Sequence, residues 1–316
     1  MTIQQAKSYG KSNLPSSPTP ALDTEVILQH ITGFDKTHLL LNRDFELSSE
    51  QESLFTKAID RRKTGFPIAY ITGHKEFFGL DFYVTPDVLI PKPDTELLVE
   101  LAIDALDDKF RSNPGTIPTV CDMCTGSGCV ALSIANKIST DSKNEYRLSL
   151  TCADISEKAL SVAKKNAERL FGKENAPHER AENSCHGTDA ANFHFIQSNL
   201  FENIPHSFDL IVTNPPYVPH QESLELLKDG RSEPLLALDG DVTESGDFSN
   251  TNDGLALIRR LVPQCYEHLN RNGVLIMETG EYNAEETAVL FKNAGFRNVK
   301  IEYDMNEMMR DVVGVK

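Results

Sequence analysis

Residues 119–128 read TVCDMCTGSG, and helix-patterned CVALSIANKI follows at once. A short apolar run ends in an acid, a loop with two glycines turns the chain, and a helix begins at Gly128. Gly126 and Gly128 let the backbone turn tightly and come close to a ligand at the helix N-terminus. Taken alone, Gly126-x-Gly128-x-x-Ala131 also fits a dinucleotide fold. Outward from it the same alternation continues: RLSLTCAD (147–154) then SEKALSVAKKNAERL (156–170), FHFIQ (193–197), FDLIVT (208–213), GLALIRRLVPQCYEHL (254–269) and GVLIMET (273–279). Alternating β and α units predict an α/β, Rossmann-like fold, a mostly parallel sheet covered by helices on both faces. Ligands of such sheets sit beyond the carboxyl ends of the strands.

Two features stand at those ends. Asp154 closes the second strand, where its carboxylate can accept from both ribose hydroxyls of an adenosine-containing ligand; the bland alternative is a helix N-cap ahead of Ser156 and Glu157. FDLIVT runs directly into Asn214-Pro215-Pro216-Tyr217. Two prolines fix φ and remove two backbone donors, leaving carbonyls free to point at a ligand. The Asn214 side-chain oxygen and the Pro215 carbonyl can both accept from an –NH₂ group, while Tyr217 packs on a planar substrate. Such a pocket selects a planar amino or amide nitrogen; a plain turn with a structural Asn is the competing reading. Cys121-x-x-Cys124 invites a metal, but no second Cys or Cys/His pair stands nearby to complete four ligands, so no metal site is expected.

Of 316 residues, 40% are hydrophobic and 25% charged, ordinary globular usage that excludes a disordered or fibrous chain. Lys plus Arg number 31 against 47 Asp plus Glu, a net −16. Residues 1–92 carry 10 basic and 11 acidic groups, whereas residues 93–316 carry 21 and 36. The acidity of the later part disfavours a protein that grips a phosphate backbone. No apolar run is long enough to span a membrane, and MTIQQAKSYGKSNLPSSPTP lacks the apolar core of a signal peptide, so a cytoplasmic protein is expected. The six cysteines show no paired framework and are expected as reduced thiols.

Residues 1–20, rich in Ser and Pro, read as a flexible tail. Residues 21–76 read as a small helical domain: Leu22, Val26, Ile27 and Ile31 recur at helical spacing, and Ser49 with Glu52 gives a capping-box signature. Arg61, Arg62 and Lys63 close its last helix, where they suit the helix dipole or a partner. FFGLDFYV (77–84) predicts a β-hairpin within a linker, 77–92, and Pro93-Asp94 opens a helix at the start of a catalytic part, 93–316. The stretches 173–191 and 241–252 are polar and read as surface insertions.

In combination, GFPIAYITGHKEFFGLDFYV (65–84), IPKPDTELLVE (90–100), DMCTGSG (122–128), NPPY (214–217) and SEPLLALDG (232–240) with DGLALIRRL (253–261) resemble the protein-(glutamine-N5) methyltransferases of the HemK/PrmC family, which modify peptide chain release factors. The likeness extends from about Leu22 to the C-terminus. It implies a class I S-adenosylmethionine-dependent fold, with a helical N-terminal domain that helps recognise the release factor. The glutamine of a Gly-Gly-Gln motif would enter the Asn-Pro-Pro-Tyr pocket. Thr125, Gly126, Ser127 and Gly128 would line the methionine part of the cofactor, Asp154 would hold its ribose, and Asn199 and Leu200 would flank its adenine. Asn214 with Pro215 would bind the glutamine amide, Pro216 would shape the pocket and Tyr217 would help wall it. Cys124 stands where glycine is common, Lys92 where arginine is, and Asn199 where aspartate is. The 241–252 insertion splits a family motif. A monomer that binds no nucleic acid directly is expected, with S-adenosylhomocysteine as product.

The closest rival keeps the cofactor and methylates the exocyclic amine of adenine in DNA or RNA, which needs basic and aromatic surface that the acidic catalytic part does not offer. An NAD-dependent dehydrogenase shares the glycine loop but leaves the two prolines and the tyrosine unexplained. A third reading is a cofactor-binding scaffold without activity.

Overall fold

The computed structural model describes residues 1–113, 115–140, 147–172, 191–230, 232–243, 245 and 247–316, together with the backbone of 185–188. The chain divides into two compact units, Met1–His74 with Glu225–Ser232, and Lys75–Leu224 with Glu233–Lys316.

The first unit holds α1 (Ile3–Asn13), α2 (Pro20–Thr32), α3 (Lys36–Leu41), α4 (Ser49–Lys63) and α5 (Ile68–Thr72). The flexible tail expected at 1–20 is a correction. Thr2 and Gln5 form a reciprocal capping box that starts α1, and Ile3, Ala6 and Leu14 are buried with Ile27, Leu28, Phe55 and Ile59. The polar segment after it is tied down too, since the Ser17 and Thr19 hydroxyls donate to Asp23, which also pairs with Arg62 at 2.6 Å. Of the basic trio at the end of α4, Arg62 is thus engaged internally and Arg61 lies 4.1 Å over the Phe66 ring.

A hairpin, β1 (His74–Phe77) and β2 (Leu80–Tyr83), which lies in the second unit from Lys75 on, turns through Phe78 and Gly79, both at positive φ. It was expected within a linker, yet it is fastened to the sheet-bearing part. Phe77 and Phe82 enter the main core, the Phe78 N–H donates to Glu96, and Asn166 exchanges two hydrogen bonds with the Tyr83 backbone.

The helix expected from Pro93 starts as a 3₁₀ turn, Pro93–Thr95, and continues as α6 (Glu96–Ser112). The sheet strands are β3 (Thr119–Met123), β4 (Leu148–Asp154), β5 (Cys185–Thr188), β6 (Ala191–Gln197), β7 (Phe208–Thr213), β8 (Leu269–Glu278), β9 (Arg297–Tyr303) and β10 (Met309–Val315). Between them lie α7 (Cys129–Thr140), α8 (Glu157–Phe171), α9 (His220–Leu226), α10 (Ala256–His268) and α11 (Ala284–Ala294). The order is β5-β6-β4-β3-β7-β8-β10-β9; β6 through β8 run parallel, and β5 and β10 are antiparallel to their neighbours. Buried side chains fill both faces, with Val120, Leu150 and Val212 on one and Cys121, Ile211 and Met277 on the other. Two-sided burial is why these strands read as continuous apolar runs.

Most of the expected 173–191 insertion lies outside the described residues, but Cys185–Thr188 is a strand of the sheet, β5, rather than a surface loop. Among the described residues no helix is long and apolar enough to cross a membrane.

Candidate functional site

Register brings the site together. Met123 pairs with Ala153 on one side and Thr213 on the other, and Asp154 pairs with Gln197, so the four strands end at one level. The residues that follow, Cys124 to Gly128, Ser198 to Leu200 and Asn214 onward, therefore share one rim, at the carboxyl ends of β3, β6 and β7. A cavity of about 270 Å³ opens there, within the second unit.

Of the residues expected at a site, Thr125, Gly126, Ser127, Asp154, Asn199, Leu200, Asn214 and Pro216 line this cavity. Gly128, Pro215 and Tyr217 do not. At Gly128 a Cβ would meet Ala163 and Leu132 at 3.2 Å, so this glycine serves the packing of α7 on α8. Tyr217 turns its phenol inward, where the hydroxyl donates to Glu278 at 3.1 Å, while its carbonyl accepts from Asn283 and Tyr282. It braces the Asn-Pro-Pro-Tyr segment from behind instead of walling the cavity.

The glycine loop is held by two carboxylates. Asp122 is buried and accepts from the Thr125 hydroxyl at 2.7 Å and the Ala131 N–H at 3.2 Å. Burial pushes its carboxyl up to about 7 despite those bonds. Asp154 accepts from the Gly126 N–H and the Ser156 N–H, both at 2.9 Å. Its carboxyl is also raised by burial. Ser156, not Asp154, caps α8 by accepting from the Ala159 N–H, which removes the bland alternative for Asp154. Gly126 lies at φ 55°, and the nearest atom to a Cβ there is 4.0 Å away, so the loop leaves room on its cavity side. The Ser127 hydroxyl is buried without a partner.

At the other wall, the Asn214 Nδ2 donates to the Thr95 hydroxyl at 3.1 Å. The segment SEPLLALDG is laced to it: the Val218 N–H donates to the Leu238 carbonyl and the Gly240 N–H to the Val218 carbonyl. A Cβ on Gly240 would lie 2.8 Å from the Tyr217 Cα and 2.2 Å from the Gly254 carbonyl oxygen, so only glycine permits this approach. Lys92 pairs with the buried Glu233 at 2.6 Å and lines the cavity from this side.

The 241–252 segment departs from the surface loop expected of it. Asp241 is fully buried and accepts from the His220 N–H, the Gly254 N–H and the Thr251 hydroxyl. Val242 pairs with Phe248, whose ring stacks on His220 at 4.3 Å, and Val242, Thr243 and Ser245 line the cavity. Asp122, Thr95 and these three were missed as site residues. Asp122 alone had a signal, as the acid that ends β3.

The cavity also exposes Cys124 and Cys129. Burial raises both thiols, Cys129 to about 12, so neither is a nucleophile at neutral pH. The site can therefore hold and orient ligands, but it has no activated nucleophile among its cysteines.

A parallel sheet with the glycine loop after β3, an acid closing β4 and Asn-Pro-Pro-Tyr after β7 defines a class I methyltransferase. Family models agree, with PrmC N-terminal domain matching residues 5–73 and Methyltransferase small domain matching 99–230. Release factor glutamine methyltransferases share its length: that of Haemophilus influenzae is 33% identical over 93% of this chain and 90% of its own, and that of Koribacter versatilis 33% over 100% and 99%. The Escherichia coli protein of that name is 31% identical over 96% and 95%. The chain belongs to the release factor glutamine methyltransferase family.

Proposed function

We propose that this protein transfers a methyl group from S-adenosylmethionine to the side-chain amide nitrogen of the glutamine in a Gly-Gly-Gln motif of a peptide chain release factor. The observation that carries the reading is the Asn214 carboxamide on the cavity wall. One Nδ2 hydrogen goes to Thr95, which sets the carboxamide so that its Oδ1 can accept an incoming N–H.

The residues opposite suit the cofactor. Gly126 leaves open space, Ser127 offers a buried hydroxyl without a partner, and Asp154 presents a carboxylate with lone pairs to spare. Thr125, Gly126 and Ser127 would hold the methionine part, Asp154 the ribose, and Asn199 with Leu200 the adenine. When bound, S-adenosylmethionine supplies an electrophilic methyl group and leaves as S-adenosylhomocysteine.

An amide nitrogen is a weak nucleophile because its lone pair is delocalised into the carbonyl. Asn214 Oδ1 accepts an amide hydrogen from the cavity wall and favours a more localised lone pair. Pro216 and the loop walls fix the direction of approach, and alignment supplies much of the remaining rate. The acidic catalytic part suits a basic partner segment and repels nucleic acid.

The test incubates the protein with S-adenosylmethionine and a purified release factor and locates added methyl groups by peptide mass spectrometry. One methyl on the Gly-Gly-Gln glutamine is expected, with Asn214→Ala lowering kcat by about 10²–10³. Methylation of RNA or DNA instead, or an Asn214→Ala variant with unchanged kcat, overturns the assignment.

A further inference from the structure

The 241–252 segment interrupts a family motif, yet buried contacts hold it against the cavity. Asp241, its first residue, is fully buried. The Asp241 carbonyl accepts from the Ser249 N–H at 2.9 Å, and its carboxylate accepts from the Thr251 hydroxyl and the Gly254 N–H, both at 2.9 Å. Val242 bridges Phe248 in antiparallel fashion, and the Thr243 N–H donates to the Asp247 carbonyl at 2.8 Å. Asp241 to Thr243 and Asp247 to Ser249 thus run as the two sides of a small hairpin. Near its tip the Ser245 hydroxyl donates to the Asp247 carboxylate at 2.7 Å, and the Asp247 N–H donates to the Thr243 hydroxyl at 3.2 Å.

A stacked pair pins the hairpin in place. The Phe248 ring lies 4.3 Å from the His220 ring, and His220 Nδ1 lies 2.5 Å from the buried Asp239 carboxylate. The other oxygen of Asp239 accepts from the Asp241 N–H at 2.9 Å, so pin and hairpin base share one acid. Held in this way, Val242, Thr243 and Ser245 face the cavity beside Ala237 and Leu257. The Leu257 N–H donates to the Gly240 carbonyl at 2.9 Å, and its side chain packs in the same buried cluster as Leu200, the residue proposed beside the adenine. We propose that Val242 and Thr243 are cofactor-site residues, through which the hairpin forms a wall over the adenosine end of S-adenosylmethionine. The inference rests on the S-adenosylmethionine reading of the same cavity.

Adenine is flat and largely apolar on its faces, and aliphatic side chains gain by leaving water against it. Val242 adds to the surface that Leu200 and Leu257 already offer. The hairpin is shaped by its own hydrogen bonds before any ligand arrives, so little ordering remains to oppose binding. A wall of this kind acts on escape more than on entry, and its loss should speed ligand release more than it slows association.

The test uses the full-length protein with isotope-labelled valine methyl groups. The Val242 resonances, assigned by their loss in Val242→Ala, should shift on adding adenosine or S-adenosylhomocysteine and stay in place with methionine alone. Phe248→Ala, which removes the stacked pin, and Val242→Ala should each raise the calorimetric Kd for S-adenosylhomocysteine about 3- to 10-fold, mainly through faster release, with the release-factor KM changed less than about twofold. Val242→Ala alters only the cavity face, so it decides the question even where Phe248→Ala disturbs folding. Val242 resonances indifferent to adenosine, an unchanged Kd in Val242→Ala, or a release-factor KM that rises while S-adenosylhomocysteine binding holds overturns the proposal. A wild type that binds no S-adenosylhomocysteine overturns the cofactor reading and this wall with it, whereas wild-type binding with Val242 unmoved sinks the wall alone.

Discussion

Asp154 shows how one side chain carries both a structural and a ligand-binding task. One oxygen accepts from the Gly126 N–H and the other from the Ser156 N–H, so the carboxylate joins the glycine loop to the start of α8 and still has lone pairs facing the cavity. An amide in its place keeps one acceptor and sets an NH₂ against a backbone N–H. Asp154→Asn should therefore weaken S-adenosylhomocysteine binding about 10- to 100-fold, as titration calorimetry would show; an unchanged Kd would mean that the ligand does not use this carboxylate. Asp154 and Asn214 were legible because each is a polar residue at the end of an apolar run, and alternation alone marks where such runs stop. Tyr217 was misjudged because the direction of a side chain after two prolines depends on what lies behind it. Glu278 is far away in sequence and sits inside a run that reads simply as a strand.

At the scale of elements, the parallel strands and their helices were legible from two periodicities, while residues 1–20 and the 241–252 segment were not. Both are polar in composition yet ordered by a few buried contacts, the first through Ile3, Ala6 and Leu14 and the second through Asp241 and Phe248. Composition averages over such anchors and cannot see them. The segment following β7 depends on another kind of contact, the near collision of Gly240 with the backbone of Tyr217 and Gly254. A methyl group at Gly240 requires that backbone to move. Gly240→Ala should cost about 2–3 kcal/mol in urea unfolding and lower kcat by disturbing Asn214. Wild-type stability together with wild-type turnover would show that the two motifs are not coupled through this contact.

For the whole molecule, the acids that build the site also shape its stability. Asp122 and Glu278 are raised to about 7, and Asp154 and Asp311 are raised as well, all mainly by burial. A carboxyl raised in the folded state binds its proton more tightly there than in the unfolded chain. Its stabilising contribution is complete below the unfolded value, near 4, and is lost as pH rises to the folded value. A rise from about 4 to about 7 corresponds to a loss on the order of 4 kcal/mol for each such group. Asp209, Asp253 and Asp304 are lowered, so their contribution is lost only in more acid solution, and His30, lowered by partial burial, opposes the trend modestly near pH 6. The net charge of −16 adds repulsion in the same direction as the raised acids. The urea midpoint should therefore fall from about pH 5.5 to about pH 8, and Asp122→Asn should flatten that slope. A midpoint that rises with pH would show these carboxyl groups to be charged without penalty.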